Sequence, residues 1–304
     1  MNRFKPWLRW LFSLAVLAAL LAWLDPRAVA EQIIAIEIGW LLAALLFSVI
    51  QILLSAWRWR FTARQLELPL GWRQAVSEYY LAGFVNQVLP GGVLGDAWRA
   101  HRHARASDST GPAWRAVIIE RASGQLVVAV AALAIIVLTP TWRNALAGVW
   151  TSIGPIPAII GTALVVVVTL LLTWRLLSRF RPDLIQVFRE DIVRALLSPR
   201  VLPIQLLLSM LIVFSYMLIF ALTARGIGIE LPFGWLLAVA LPVLLAMLIP
   251  ITVAGWGLRE ATAAAVWMAM GLPAEQGVAV AMAYGVVIFL ASLPGILVFA
   301  GPIR

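Results

Sequence analysis

The chain has 304 residues, 63% of them hydrophobic and only 12% charged, with a mean hydropathy of +0.97. Soluble domains carry about 25% charged residues, so this composition belongs to an integral membrane protein. The lack of Cys excludes disulfides and thiolate metal sites, and two His leave almost no material for zinc. The net charge of +9 comes from 22 Arg and one Lys, which fits cytoplasmic anchoring of membrane loops better than nucleic-acid binding.

Arg3, Lys5 and Arg9 precede an apolar run from Leu11 to Leu24. Ala28-Val29-Ala30 has the small-residue look of a signal-peptidase site, but an uncleaved first transmembrane helix is the preferred expectation. A spanning helix needs about 20 mainly apolar residues. The runs 8–24, 38–57, 114–138, 153–174, 202–224 and 277–300 qualify. Two further apolar zones, 74–98 and 233–271, are interrupted by Pro and Gly and read as re-entrant or kinked hairpins. The expected fold is therefore all-α and polytopic, a single membrane domain over 1–304 with about six full transmembrane helices plus two broken hairpins.

Arg and Lys counts set the orientation. The N-terminus holds three, 25–37 one, 58–73 four, 99–115 four, 139–152 one, 175–200 six and 225–232 one. Placing the basic segments inside puts both termini in the cytoplasm of a bacterial inner membrane. The first broken zone then enters and leaves on the cytoplasmic side, and the second starts outside. Residues 38–138 and 202–300 become two halves of opposite orientation, the pattern of transporters with paired broken helices. Between them, 178–198 alternates Arg179, Arg181, Asp183, Arg189, Glu190, Asp191 and Arg194 with apolar residues at helical spacing. That is an amphipathic connector suited to the inner leaflet.

The two broken zones share a skeleton 160 positions apart. Pro90, Gly95 and Arg99 have the spacing of Pro250, Gly255 and Arg259. Gly91 and Gly92 allow unwinding after Pro90, and a helix restarting near Asp96 would offer free N–H groups to an anion. Arg99, one turn on, could clamp a phosphate, and Asn86 would face the break from the upstream helix. The second motif adds Gly257 and the adjacent Arg259-Glu260, which are expected to point to different sides of a helix and not to pair. They are the only charges between 231 and 274, which favours a functional role. Glu120-Arg121, inside the 114–138 span, can reach Asp96 or Arg99. Glu78, Tyr79 and Tyr80 are weaker candidates, and His101 and His103 read as solvated loop residues.

The run Asn86-Gln-Val-Leu-Pro90-Gly-Gly-Val-Leu-Gly95-Asp96-Ala-Trp-Arg99, then Glu120-Arg121, then Pro250-Ile-Thr-Val-Ala-Gly-Trp-Gly257-Leu-Arg259-Glu260, resembles the lysylphosphatidylglycerol synthase transmembrane family. This is also called the UPF0104 or flippase-like domain family. The likeness extends from about residue 10 to 300, with Ala254 where many members have a further Gly. It implies movement of lipid between leaflets. Multidomain members carry a cytosolic domain that makes aminoacylated lipid. This chain ends at Arg304 without one, so lipid aminoacylation is not implied.

The resulting expectation is a lipid transporter or flippase-like protein moving an anionic phospholipid or lipid-linked headgroup, with no cofactor and no metal. Arg99, Arg121 and Arg259 would meet the headgroup, and Asp96, Glu120 and Glu260 would balance charge. The alternative is a membrane-embedded enzyme or accessory subunit for polyprenyl- or phospholipid-linked glycosyl or aminoacyl transfer. A scaffold for a soluble synthase or glycosyltransferase partner is a third reading, and a homodimer is compatible with all of them.

Overall fold

A computed structural model describes residues 6–24, 26–89, 92–138, 182–247 and 252–300. The predicted span 153–174, the 139–152 loop and Arg304 lie outside the described residues. In chain order the helices are α1 (Pro6–Trp23), α2 (Pro26–Ile34), α3 (Ile38–Gln65), α4 (Trp72–Val88), α5 (Leu94–Ser107), α6 (Thr110–Leu138) and α7 (Pro182–Ile192), which ends in a π turn over Val193–Leu197. Then come α8 (Leu202–Gly226), α9 (Phe233–Ala246), α10 (Leu258–Ala269), α11 (Ala274–Ser292) and α12 (Pro294–Ala300). Among the described residues, four stretches are long and apolar enough to cross a bilayer: Ile38–Gln65, Thr110–Ile135, Leu202–Gly226 and Ala274–Val298. The chain is a helical, polytopic membrane protein.

The long helix α3 carries a buried polar stripe and an apolar outer face. On α3, Ser48, Gln51, Ser55, Arg58 and Thr62 are buried, while Leu42 and Leu46 are exposed. Lipid tails give apolar side chains no reason to hide, so interior hydrogen bonds and small residues dominate helix association. The buried polar residues of α3 meet those of α8. Gln51 Nε2 donates to the Tyr216 hydroxyl at 3.0 Å, Arg58 Nη1 to Ser209 Oγ at 3.0 Å, and Gln205 Nε2 to Thr62 Oγ1 at 2.9 Å. Each advance along α3 is matched by an equal retreat along α8, so the two central helices run antiparallel in a fixed register.

The two broken zones form helix pairs, α4 with α5 and α9 with α10. Their arms have 17, 14, 14 and 12 residues. At 1.5 Å per residue these arms are roughly 18–26 Å long, short of the ~30 Å hydrocarbon core. The first pair packs on α3 and α6, and the second on α8 and α11. The first pair closes tightly because Gly95 has no side chain: a Cβ there would lie 2.1 Å from the Ala82 carbonyl oxygen. Short α12 covers α4 from the other side.

Several boundaries differ from the sequence expectation. The span expected to end at residue 57 continues to Gln65, so Arg58 is a buried helical residue and not part of a basic loop. Residues 94–107 are helical as well, and α6 begins at Thr110. His103 is consequently buried, 3.1 Å from the Pro69 carbonyl and edge-on to Trp59, whereas His101 is exposed. Within the expected 25–37 loop, α2 buries Val29 and packs on α11. The amphipathic connector is helical from Pro182, and an Arg115–Asp191 ion pair ties it to α6.

Candidate functional site

The first motif builds a charged cluster from four consecutive helices, α3 to α6. Arg99 lies in the first turns of α5 and has no exposed surface. Its Nε donates to Asp96 Oδ1 at 2.9 Å and its Nη2 to Glu120 Oε2 at 2.6 Å. The guanidinium also sits between two rings, 4.6 Å from the centroids of both Trp59 and Tyr79. A desolvated cation–π contact contributes about 2 kcal/mol, so ion pairs and rings together hold Arg99, while its Nη1 has no hydrogen-bond partner.

Glu120 is the hub on α6. Its Oε1 accepts from Arg58 Nε at 3.1 Å, from Arg58 Nη2, and from the Tyr79 hydroxyl at 3.2 Å. Asp96 Oδ1 additionally receives Arg121 Nη2 at 2.7 Å. Asp96 Oδ2 accepts from Asn86 Nδ2 at 3.2 Å, while Asn86 Oδ1 accepts the Gly95 N–H at 2.8 Å. Asn86 thus satisfies a free N–H of the restarting helix from across the break. Three guanidiniums, Arg58, Arg99 and Arg121, surround two carboxylates, Asp96 and Glu120. The cluster keeps one positive charge in excess.

The second motif is smaller and closes on itself. Ala254, Gly255 and Gly257 have φ of 49°, 82° and 87°, a left-handed path that glycine takes without penalty. Glu260 Oε2 accepts the Gly257 N–H at 2.7 Å, and Oε1 accepts Arg259 Nε at 3.0 Å and Nη2 at 2.6 Å. The expectation that Arg259 and Glu260 do not pair is therefore corrected. Glu260 folds back over the start of α10, where no preceding helical turn separates it from its neighbour. Arg259 lies over Trp256 at 4.5 Å and is fully buried, as is Glu260. Gly285 of α11 makes room for it, since a Cβ there would stand 2.1 Å from Arg259 Nη2.

Both motifs face one cavity. A lobe of about 220 Å³ is bounded by Asn86, Gly92 and Val93 of the first break and by Thr252, Ala254 and Gly255 of the second. A second lobe of about 210 Å³, with Arg58 in its wall, lies beside it between α3, α6, α8 and α11, and Gln87, Arg121, Gln125 and Tyr216 are among the wall residues common to both. Arg121 lines both lobes, and its side chain is 37% exposed where Arg99 and Arg259 are at 0%. Neither of those two guanidiniums lines the cavity.

Of the residues singled out in the sequence, Asn86, Gly92, Arg121 and Gly255 reach the cavity wall, as do the weaker candidates Tyr79 and Tyr80. Gly95, Asp96, Arg99 and Glu120 stand behind it in the first cluster, and Gly257, Arg259 and Glu260 in the second. Pro90, Gly91 and Pro250 lie outside the described residues. Glu78, a weaker candidate, accepts from Arg102 Nε at 2.7 Å. Sequence reading missed Arg58, Gln51, Tyr216 and Tyr284. The first two were detectable, because Ser48, Gln51, Ser55, Arg58 and Thr62 repeat at steps of three and four along an otherwise apolar helix.

A family model described as the lysylphosphatidylglycerol synthase TM region matches residues 10–295. No curated protein and no solved structure matched the chain.

Proposed function

The chain belongs to the lysylphosphatidylglycerol synthase TM region family, and we propose that it moves an anionic phospholipid or lipid-linked headgroup between the leaflets of a bacterial inner membrane. The observation that carries this reading is the single cavity bounded by both helix breaks, with Arg121 in its wall. Irregular backbone at membrane depth is tolerated where it lines a polar cavity, and paired broken helices flank the substrate site in many transporters. The antiparallel run of α3 against α8 supports two halves of opposite orientation, 38–138 and 202–300, and the Arg and Lys counts favour both termini in the cytoplasm.

In this scheme Arg121 meets the anionic headgroup. Asp96, which already holds Arg99 and Asn86, keeps its other contacts when Arg121 turns toward a ligand. Arg58, Arg99 and Glu120 hold α3, α5 and α6 in place around it, and Arg259 with Glu260 shapes the second break. The test is leaflet exchange of fluorescent phosphatidylglycerol in vesicles containing the purified chain. The protein should accelerate exchange well above protein-free vesicles, and Arg121→Ala should remove most of that acceleration. A correctly folded parent protein that moves no lipid overturns the reading.

A further inference from the structure

Glycine inside a helix is destabilising relative to alanine, so a mid-helix glycine ordinarily has a packing reason. Gly124, Gly277 and Gly285 have one: a Cβ there would lie 2.8, 2.6 and 2.1 Å from Arg58 Nη1, the Ala263 carbonyl oxygen and Arg259 Nη2 respectively. Gly83, well inside α4, has none, because a Cβ there would meet nothing within 4 Å. Its neighbours on the helix fix the direction of that open space. Positions three and four apart share one side of a helix, and for Gly83 these are Tyr79, Tyr80, Asn86 and Gln87. All four, and Gly83 itself, line the lobe of about 220 Å³ between the two breaks. Helix α4 therefore turns a stripe of large polar side chains toward the cavity, with bare backbone in the middle of the stripe.

Resting on the transport reading above, we propose that Gly83 is the size-determining position of the lipid path, where the headgroup of an anionic phospholipid passes α4 over bare backbone. The helix gives up stability at this position without gaining a contact. What it gains is clearance in the lobe that Arg121 also lines. A side chain at Gly83 narrows the path without disturbing the fold, and larger headgroups are slowed first.

The test uses the full chain in vesicles. Gly83→Leu should keep the parent's unfolding midpoint and slow exchange of phosphatidylglycerol on the order of ten- to a hundredfold, the cost of one intruding side chain. Phosphatidic acid, whose headgroup is phosphate alone, should be slowed much less. Gly234→Leu is the control, since Gly234 is exposed in the first turn of α9, equally free of neighbours and outside the cavity wall; it should leave both rates unchanged. Parental rates in Gly83→Leu, equal slowing of both lipids, or an early-unfolding variant each overturn the proposal.

A second measurement does not depend on transport. The chain has no Cys, so Gly83→Cys and Gly234→Cys each supply one thiol. A charged methanethiosulfonate reagent, offered on both sides of the vesicles, reacts with the thiolate that water supports. Gly83→Cys should be labelled, and phosphatidylglycerol vesicles should slow its labelling several-fold relative to phosphatidylcholine vesicles, after correction by Gly234→Cys. Absence of labelling, or the same ratio at both positions, overturns the proposal. A parent chain that moves neither lipid overturns the transport reading, and the labelling ratio then decides whether phosphatidylglycerol occupies the space beside Gly83.

Discussion

Replacing Glu120 by Gln should destabilise the fold by several kcal/mol. The carboxylate is fully buried and accepts from Arg58 twice, Arg99 once and Tyr79 once. An amide keeps one accepting oxygen. If that oxygen stays toward Arg58 and Tyr79, the new NH2 group faces Arg99 Nη2, which now lies 2.6 Å from Oε2, donor against donor. The cluster's excess rises from one positive charge to two. Removing one partner of a buried ion pair costs about 3–5 kcal/mol, against a total stability of roughly 5–15 kcal/mol. At about 2 °C per kcal/mol for a chain of this size, the unfolding midpoint should fall by roughly 6–10 °C. The assay is thermal unfolding in detergent followed by Trp fluorescence, for which 15 Trp give ample signal. Adding Arg58→Gln to the Glu120→Gln variant restores the original charge balance and should recover part of the loss. A single variant as stable as the parent, or a double variant weakened by the full sum of both changes, would refute the hub role of Glu120.

Two glycine substitutions test the packing behind the cavity. Gly95→Ala should force α4 and α5 apart and lower stability by several kcal/mol, because its Cβ would meet the Ala82 backbone. Gly83→Ala on α4 meets nothing within 4 Å and should be nearly neutral in the same unfolding assay. Gly285→Ala should dislodge the Arg259 guanidinium and leave a buried charge unpaired, again a loss of about 3–5 kcal/mol. Its near-neutrality would show that Arg259 has another place to go.

What the sequence made legible was the punctuation. Pro, Gly and Arg at matched spacing marked two breaks, and the breaks line one cavity. Charge counting was less informative about residues near helix ends. Arg58 counts among the four basic residues of the expected cytoplasmic segment 58–73, yet its side chain turns inward to Glu120. His103 was placed in solvent for the same reason: an Arg-rich stretch suggested a loop, while one face of α5 is buried against Trp59. The pairing of Arg259 with Glu260 was hidden because the rule that adjacent side chains diverge applies inside a helix, not at its first turn. Fully buried arginines are hard to foresee from sequence, since their cost in lipid is offset by partners more than twenty residues away, as for Arg99 and Glu120.

The ladder between α3 and α8 limits how the molecule can move. Its three rungs, Gln51 to Tyr216, Arg58 to Ser209 and Thr62 to Gln205, all depend on the same register. Sliding one helix by a single turn would break every rung together, and the polar groups released would have only hydrocarbon or each other to face. The central pair therefore behaves as an axle. The short hairpins are free of this ladder, so their packing on the central pair can change without breaking any rung of it.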